Sequence, residues 1–120
     1  MNLEIKNIQS TDIDQNPEDI YDFAVPLMVE IGESGKDGAE TFHFLAASPQ
    51  GLQNYVNGEH GFVLLRGCIL MKKFDWQVVN RAIESLVNHA RSRKDWAEVI
   101  SYFNRYGEYD SEDMDGKHFP

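Results

Sequence analysis

Apolar residues recur at every second position from Phe23 through Val25, Leu27 and Val29 to Ile31, and again from Phe42 through Phe44 to Ala46. A period of two predicts strands with one buried face. The glycine-rich stretch GESGKDGA, residues 32–39, lies between them, so the two runs are expected to pair as an antiparallel hairpin. Pro26 has no N–H to give to a ladder, which pushes its end of the strand toward an edge or a bulge. Leu3, Ile5 and Ile8 predict a short opening strand. Residues 9–21, QSTDIDQNPEDIY, carry only Ile13 and Ile20 as apolar anchors and predict a surface loop.

Alternation fails in residues 62–74, FVLLRGCILMKKF, where both parities are apolar. That pattern predicts a central strand covered on both faces, with Gly67 marking a bulge or turn. Beyond it the period becomes helical. Asp75 is placed to cap a helix in which Trp76, Val79, Ala82, Ile83, Leu86, Val87 and Ala90 share one side, with Phe74 and Val79 at the spacing of a hydrophobic staple. Asp95 with Glu98 forms a capping box ahead of Trp96, Val99, Ile100 and Phe103. Loss of such a cap costs ~1 kcal/mol. Gly107 is expected to end this helix in the left-handed conformation. Both tryptophans fit as first-turn core anchors. Earlier in the chain, Ser48 caps a short helix with Pro49 at its first position and Leu52, Tyr55 and Val56 as buried contacts. Glu108, Tyr109 and Asp110 can add an edge strand, and residues 111–120 are expected to form a mobile acidic tail.

These elements define an α+β protein: an antiparallel sheet of about four to five strands packed against two C-terminal helices, plus one short helix. The 120 residues suit a single domain with its own core. The lone Cys68 excludes an internal disulfide and fits a reducing compartment. With no apolar core in the opening MNLEIKN and no apolar run near the ~20 residues of a membrane span, a cytoplasmic protein is expected.

Charge changes the picture more than composition does. The formal charge is −9, yet residues 1–60 hold 11 acids and 2 bases, residues 61–107 hold 4 acids and 8 bases, and residues 108–120 hold 5 acids and 1 base. The ends are acidic and the helical block is basic. This asymmetry argues for steering toward a basic partner and against sequence-tolerant nucleic-acid binding by the whole surface.

Catalytic and metal signatures are missing from the sequence. His43, His60, His89 and His118 stand far apart without a second ligand at helical spacing, and no Cys/His signature accompanies Cys68. Asp12 and Asp14 open like a calcium loop, but the glycine at its sixth place and the glutamate at its twelfth are missing. Gly32, Gly35 and Gly38 do not have a phosphate-loop spacing. No cofactor, metal or catalytic residue is therefore assigned.

In the same order along nearly the whole chain stand Ser10 to Ile13, Pro17 to Phe23, IGESGKDGAETFHF (Ile31 to Phe44), Ser48 to Leu52, an apolar strand ending in Lys73, Phe74 and Asp75, and DWAEVISYFNRYGEYDSED (Asp95 to Asp113). With this arrangement the chain resembles the immunity protein 8 family of bacterial polymorphic toxin systems. The resemblance implies a small α+β protein, encoded beside a toxin, that binds the toxin's C-terminal domain and blocks it without being an enzyme. Toxins of such systems are often nucleases with basic surfaces, which suits the acidic ends. It implies a protein partner, with no nucleic acid and no membrane involved.

The matched positions are mostly caps, turns and core, so contact residues are assigned on physical grounds. The hairpin loop offers Glu33, Asp37 and Glu40, and the C-terminal strip offers Glu108, Asp110, Glu112 and Asp113 with Tyr106 and Tyr109 as aromatic anchors. Two other readings compete: an acidic nucleic-acid mimic acting on another basic protein, and a small hydrolase built on a pair such as His43 with Glu40.

Overall fold

The two alternating runs form the middle of a five-stranded sheet. The computed structural model describes residues 1–58 and 61–110. In chain order its elements are β1 Leu3–Gln9, β2 Ala24–Glu33, β3 Glu40–Ala47, α1 Pro49–Val56, β4 Cys68–Leu70, α2 Trp76–Ala90, α3 Trp96–Phe103 and β5 Glu108–Tyr109. Strands β1, β2, β3 and β4 lie side by side in that order, and β5 also pairs with β3. The expected α+β class and the two C-terminal helices with one short helix are what the structure has.

Strands β2 and β3 pair antiparallel with Val25 opposite Ala46, Leu27 opposite Phe44 and Val29 opposite Phe42. Opposed residues share a face, so one side of the sheet becomes a continuous apolar layer. The ladder of β1 slips between Ile5 and Asn7, a bulge. One extra residue there brings Ile8 opposite Val29 on the same face as Leu3 and Ile5, which explains the uneven spacing of the three. Pro26 lies beyond the last β1 pair, Gln9 with Met28, so its missing N–H leaves no ladder bond unmade.

The helices cover that layer. Val79, Ile83, Val87 and Ala90 of α2 and Val99, Tyr102 and Phe103 of α3 are buried, and Phe103 stacks on Phe42 with centroids 4.9 Å apart. Their starts are fixed as expected: Asp75 accepts from the Gln77 amide at 2.8 Å and Asp95 from the Glu98 amide at 2.9 Å. Each tryptophan packs partly against the core and also holds a loop. The Trp76 indole donates to the Gln15 carbonyl, tying down the loop that follows β1.

Three local expectations are corrected. The run 62–74 is not a central strand: only Cys68–Leu70 pairs, parallel to β3, at the edge of the sheet. The cause is shared space, because β5 occupies the same edge of β3 opposite Phe42 and His43 while β4 takes Leu45 to Ala47. Gly67, at φ 70°, turns the chain into β4 beside the start of β5. Gly107 is not a left-handed terminator, since among the described residues positive φ is found at Gly35, Gly38, Gly61 and Gly67 and not there. It is small for a different reason: a Cβ there would lie 2.5 Å from the Phe44 ring. Finally, α1 buries Gly51 and leaves Tyr55 and Val56 exposed. A Cβ on Gly51 would sit 1.8 Å from the Phe23 carbonyl oxygen, so α1 approaches the chain just ahead of β2 backbone to backbone and turns its large side chains outward.

Candidate functional site

The β2–β3 loop is held by its own backbone and by α3. Gly35 and Gly38 adopt φ of 77° and 91°, conformations that need no side chain. The Lys36 amide closes a turn onto the Glu33 carbonyl at 3.2 Å, and the Ser34 amide reaches the Asn2 carbonyl at 2.8 Å. Glu33 accepts from the Trp96 indole at 3.2 Å and pairs with Lys36 at 3.3 Å. The hydrogen bond from Trp96 first, and Lys36 second, hold its carboxyl below the ordinary glutamate range. Asp37 is exposed at the tip, and together with Glu33, Glu40 and Trp96 it lines a shallow cleft.

The C-terminal strip is positioned by contacts of a different kind. Asn104, just past α3, accepts from the Tyr109 amide at 3.1 Å and from the Arg66 guanidinium at 2.5 Å. Within β5, Tyr109 falls opposite Phe42 and Glu108 opposite His43. The Asp110 amide extends the ladder to the Thr41 carbonyl at 2.9 Å, and its carboxylate lies 3.4 Å from His43 Nε2. Tyr106 is exposed, its ring 5.4 Å from that of Tyr102.

Residues far apart in sequence thus meet at one end of the sheet. The link is a hydrogen bond of 2.8 Å from the Tyr109 hydroxyl to the Glu40 carboxylate. Strand pairing puts Glu33 and Glu40 on the helix side, while Glu108 and Asp110 take the opposite face, with Asp37 at the tip. The acids therefore wrap around the sheet's end and do not lie in one plane. Lys36 and Lys6 partly offset them: Lys6 pairs with Glu4 at 2.8 Å and donates to the Lys36 carbonyl at 2.9 Å. Tyr109 is half-buried against Phe42, 5.5 Å between centroids, so its ring braces the strip. Glu112 and Asp113 lie outside the described residues, as does the expected tail.

The hydrolase pair is not assembled. His43 stands exposed on the face away from the helices, where its partner is Asp110, and Glu40 is engaged by Tyr109 on the other side. Among the described residues no three His, Cys, Asp or Glu side chains are grouped to hold a metal ion. Burial pushes the Cys68 thiol up, away from the reactive thiolate. Three residues that shape the site carried no functional signal in the sequence: Trp96, Asn104 and Lys36. Each acts through a contact with a segment distant in the chain or through a turn.

What the described residues present is a small α+β architecture with charged turns braced by a helical layer. The chain belongs to the Immunity protein 8 family, whose model matches residues 3–114. It is accordingly an immunity protein, the kind of protein whose partner is a toxin. No curated protein and no solved structure matches it. No helix among the described residues is long and apolar enough to cross a membrane.

Proposed function

We propose that this chain, acting in the cytoplasm as one domain over residues 1–120, binds the C-terminal domain of a cognate polymorphic or contact-dependent toxin and neutralises it stoichiometrically. The toxin domain on this reading is a nuclease, and the acids at the sheet's end occupy its basic phosphate-binding surface. The observation that supports it is the Tyr109–Glu40 hydrogen bond, which joins two acidic segments into one feature. Carboxylates held by hydrogen bonds and strand pairing lose little conformational freedom on binding and raise association rates by roughly 10- to 1000-fold through steering.

The test is co-expression with the C-terminal domain encoded by the adjoining gene, followed by calorimetry and stopped-flow association. The reading expects protection of the cell, a one-to-one complex and an on-rate that falls steeply with salt. Asp37→Lys and Glu108→Lys should each slow association more than they speed dissociation. No complex, or no protection, would sink the immunity reading, and a salt-insensitive on-rate would sink the acidic surface alone.

A further inference from the structure

The same edge of β3 that carries the acids changes character at its other end. Val63, Leu64, Leu65 and Arg66 belong to no helix, strand or turn, and among the described residues none of the four makes a backbone hydrogen bond. Their side chains are not packed away: Leu64 is 88% exposed and Leu65 50%. They lead through Gly67 into β4, whose outer edge pairs with no other described strand. Leu70 at its end is 60% exposed. Strand pairing places Cys68 and Leu70 beside Leu45 and Ala47 on the face opposite α2 and α3. An apolar run of high strand propensity, with unmade backbone bonds and a free edge beyond it, is a template for strand addition.

Charge decides what adds there. Arg66 on one side and Lys72 and Lys73 on the other bracket β4, all exposed, and none forms an ion pair among the described residues. Among the described residues Arg66 reaches the carbonyl and side chain of Asn104. A second copy laid on this edge would stack both sets of cations against each other, which is unfavourable for directly opposed strands. An anionic bilayer would attract the cations but repel a chain of charge −9, and lipid offers no partner for the open N–H and C=O groups. We propose that an apolar strand of the toxin domain, with carboxylates placed opposite Arg66 and opposite Lys72 and Lys73, pairs along residues 63–70 and covers Leu64, Leu65 and Leu70. This rests on the immunity reading and adds a second contact of opposite sign to the acidic one. A partner spanning both ends of the edge would be held in a single orientation, since reversing it opposes like charges.

The experiment uses the full chain and an inactivated toxin domain from the adjoining gene. Backbone hydrogen exchange is followed at residues 63–66 with and without that domain, and affinity is measured for wild type, Leu64→Glu and Leu65→Pro. Leu64→Glu alters an exposed side chain, and Leu65→Pro removes an N–H that no described residue accepts, so matched urea midpoints confirm both fold. Slowed exchange at 63–66 in the complex is expected, with affinity about 30-fold weaker or more for each variant, through faster dissociation. Unchanged exchange together with wild-type affinity in both variants would overturn the inference while leaving the immunity reading intact. Failure of wild type to bind would remove both. Concentration-dependent dimerisation abolished by Leu64→Glu, or Leu64-dependent sedimentation with phosphatidylglycerol vesicles, would overturn it in favour of a second copy or a membrane.

Discussion

Gly107 is the residue on which the shared edge of β3 turns, and replacing it with alanine tests that directly. The added Cβ would lie 2.5 Å from Phe44 Cζ and 2.8 Å from both Cε atoms, about 1 Å inside ordinary carbon contact. Phe44 is buried opposite Leu27 and cannot swing aside without disturbing the apolar layer. Overpacking of this kind costs about 1–3 kcal/mol, while the lower entropy of the unfolded alanine chain returns about 0.4–1 kcal/mol. The net expectation is a loss of about 1–2 kcal/mol, read as a lower urea midpoint at unchanged slope. Because Gly107 feeds directly into β5, the Tyr109 amide should also exchange faster. The decisive control is a double-mutant cycle with Phe44→Leu, which frees space at the ring. The pair should be less destabilised than the sum of the two single changes by about 1 kcal/mol, a coupling within the range for residues in contact. Strictly additive losses would refute the packing argument.

Ser48 and Asp95 both cap helices, but only Ser48 is fully buried, and its Oγ accepts from Gly51 at 3.0 Å and from the Phe23 amide at 3.1 Å. Ser48→Ala should therefore cost about 2–4 kcal/mol, a cap plus an orphaned buried N–H, against about 1 kcal/mol for Asp95→Ala; equal losses in urea titrations would show that Phe23 does not depend on Ser48. Glu33 has a depressed folded pKa caused first by Trp96, so its charged form contributes stability above the ordinary glutamate value that is lost as pH falls through the lowered one. The stability gap between wild type and Glu33→Gln should be constant above about pH 5, close below it, and shrink when Trp96 is replaced by Phe. A gap that widens on acidification would contradict this.

What was legible in the sequence follows from the range of the forces that set it. Period-two runs and caps act over a few residues, so β2, β3, α2 and α3 could be placed from Phe23, Phe42, Asp75 and Asp95 alone. The bulge in β1 was visible only as an unexplained spacing of Leu3, Ile5 and Ile8. Failure came where competition between distant segments decides. An apolar run reads as buried, yet residues 62–66 stay outside the sheet because β5, arriving some forty residues later, takes part of the edge they would need. Gly107 carried the right identity and the wrong reason, since close approach to Phe44 and a left-handed turn both select glycine. The acidic residues were legible as charges, but not their joining: the Tyr109–Glu40 bond spans 69 positions.

The two glycines explain how one strand edge carries two opposite surfaces. A Cβ on Gly67 would come within 3.0 Å of the Gly107 Cα and 3.3 Å of the His43 carbonyl oxygen, so β4 and β5 meet end to end over β3 with backbone alone between them. Any side chain there would force them apart and open a gap in the middle of the edge. With the gap closed, Glu108 and Asp110 stand immediately beside the Gly67 turn, with Arg66 and the exposed leucines on its other side. A partner matching both signs gains at both ends, and one matching only the net charge of −9 gains at one and loses at the other. On the proposed reading the total charge would guide encounter, while the order of signs along β3 would select among basic proteins that the total attracts alike.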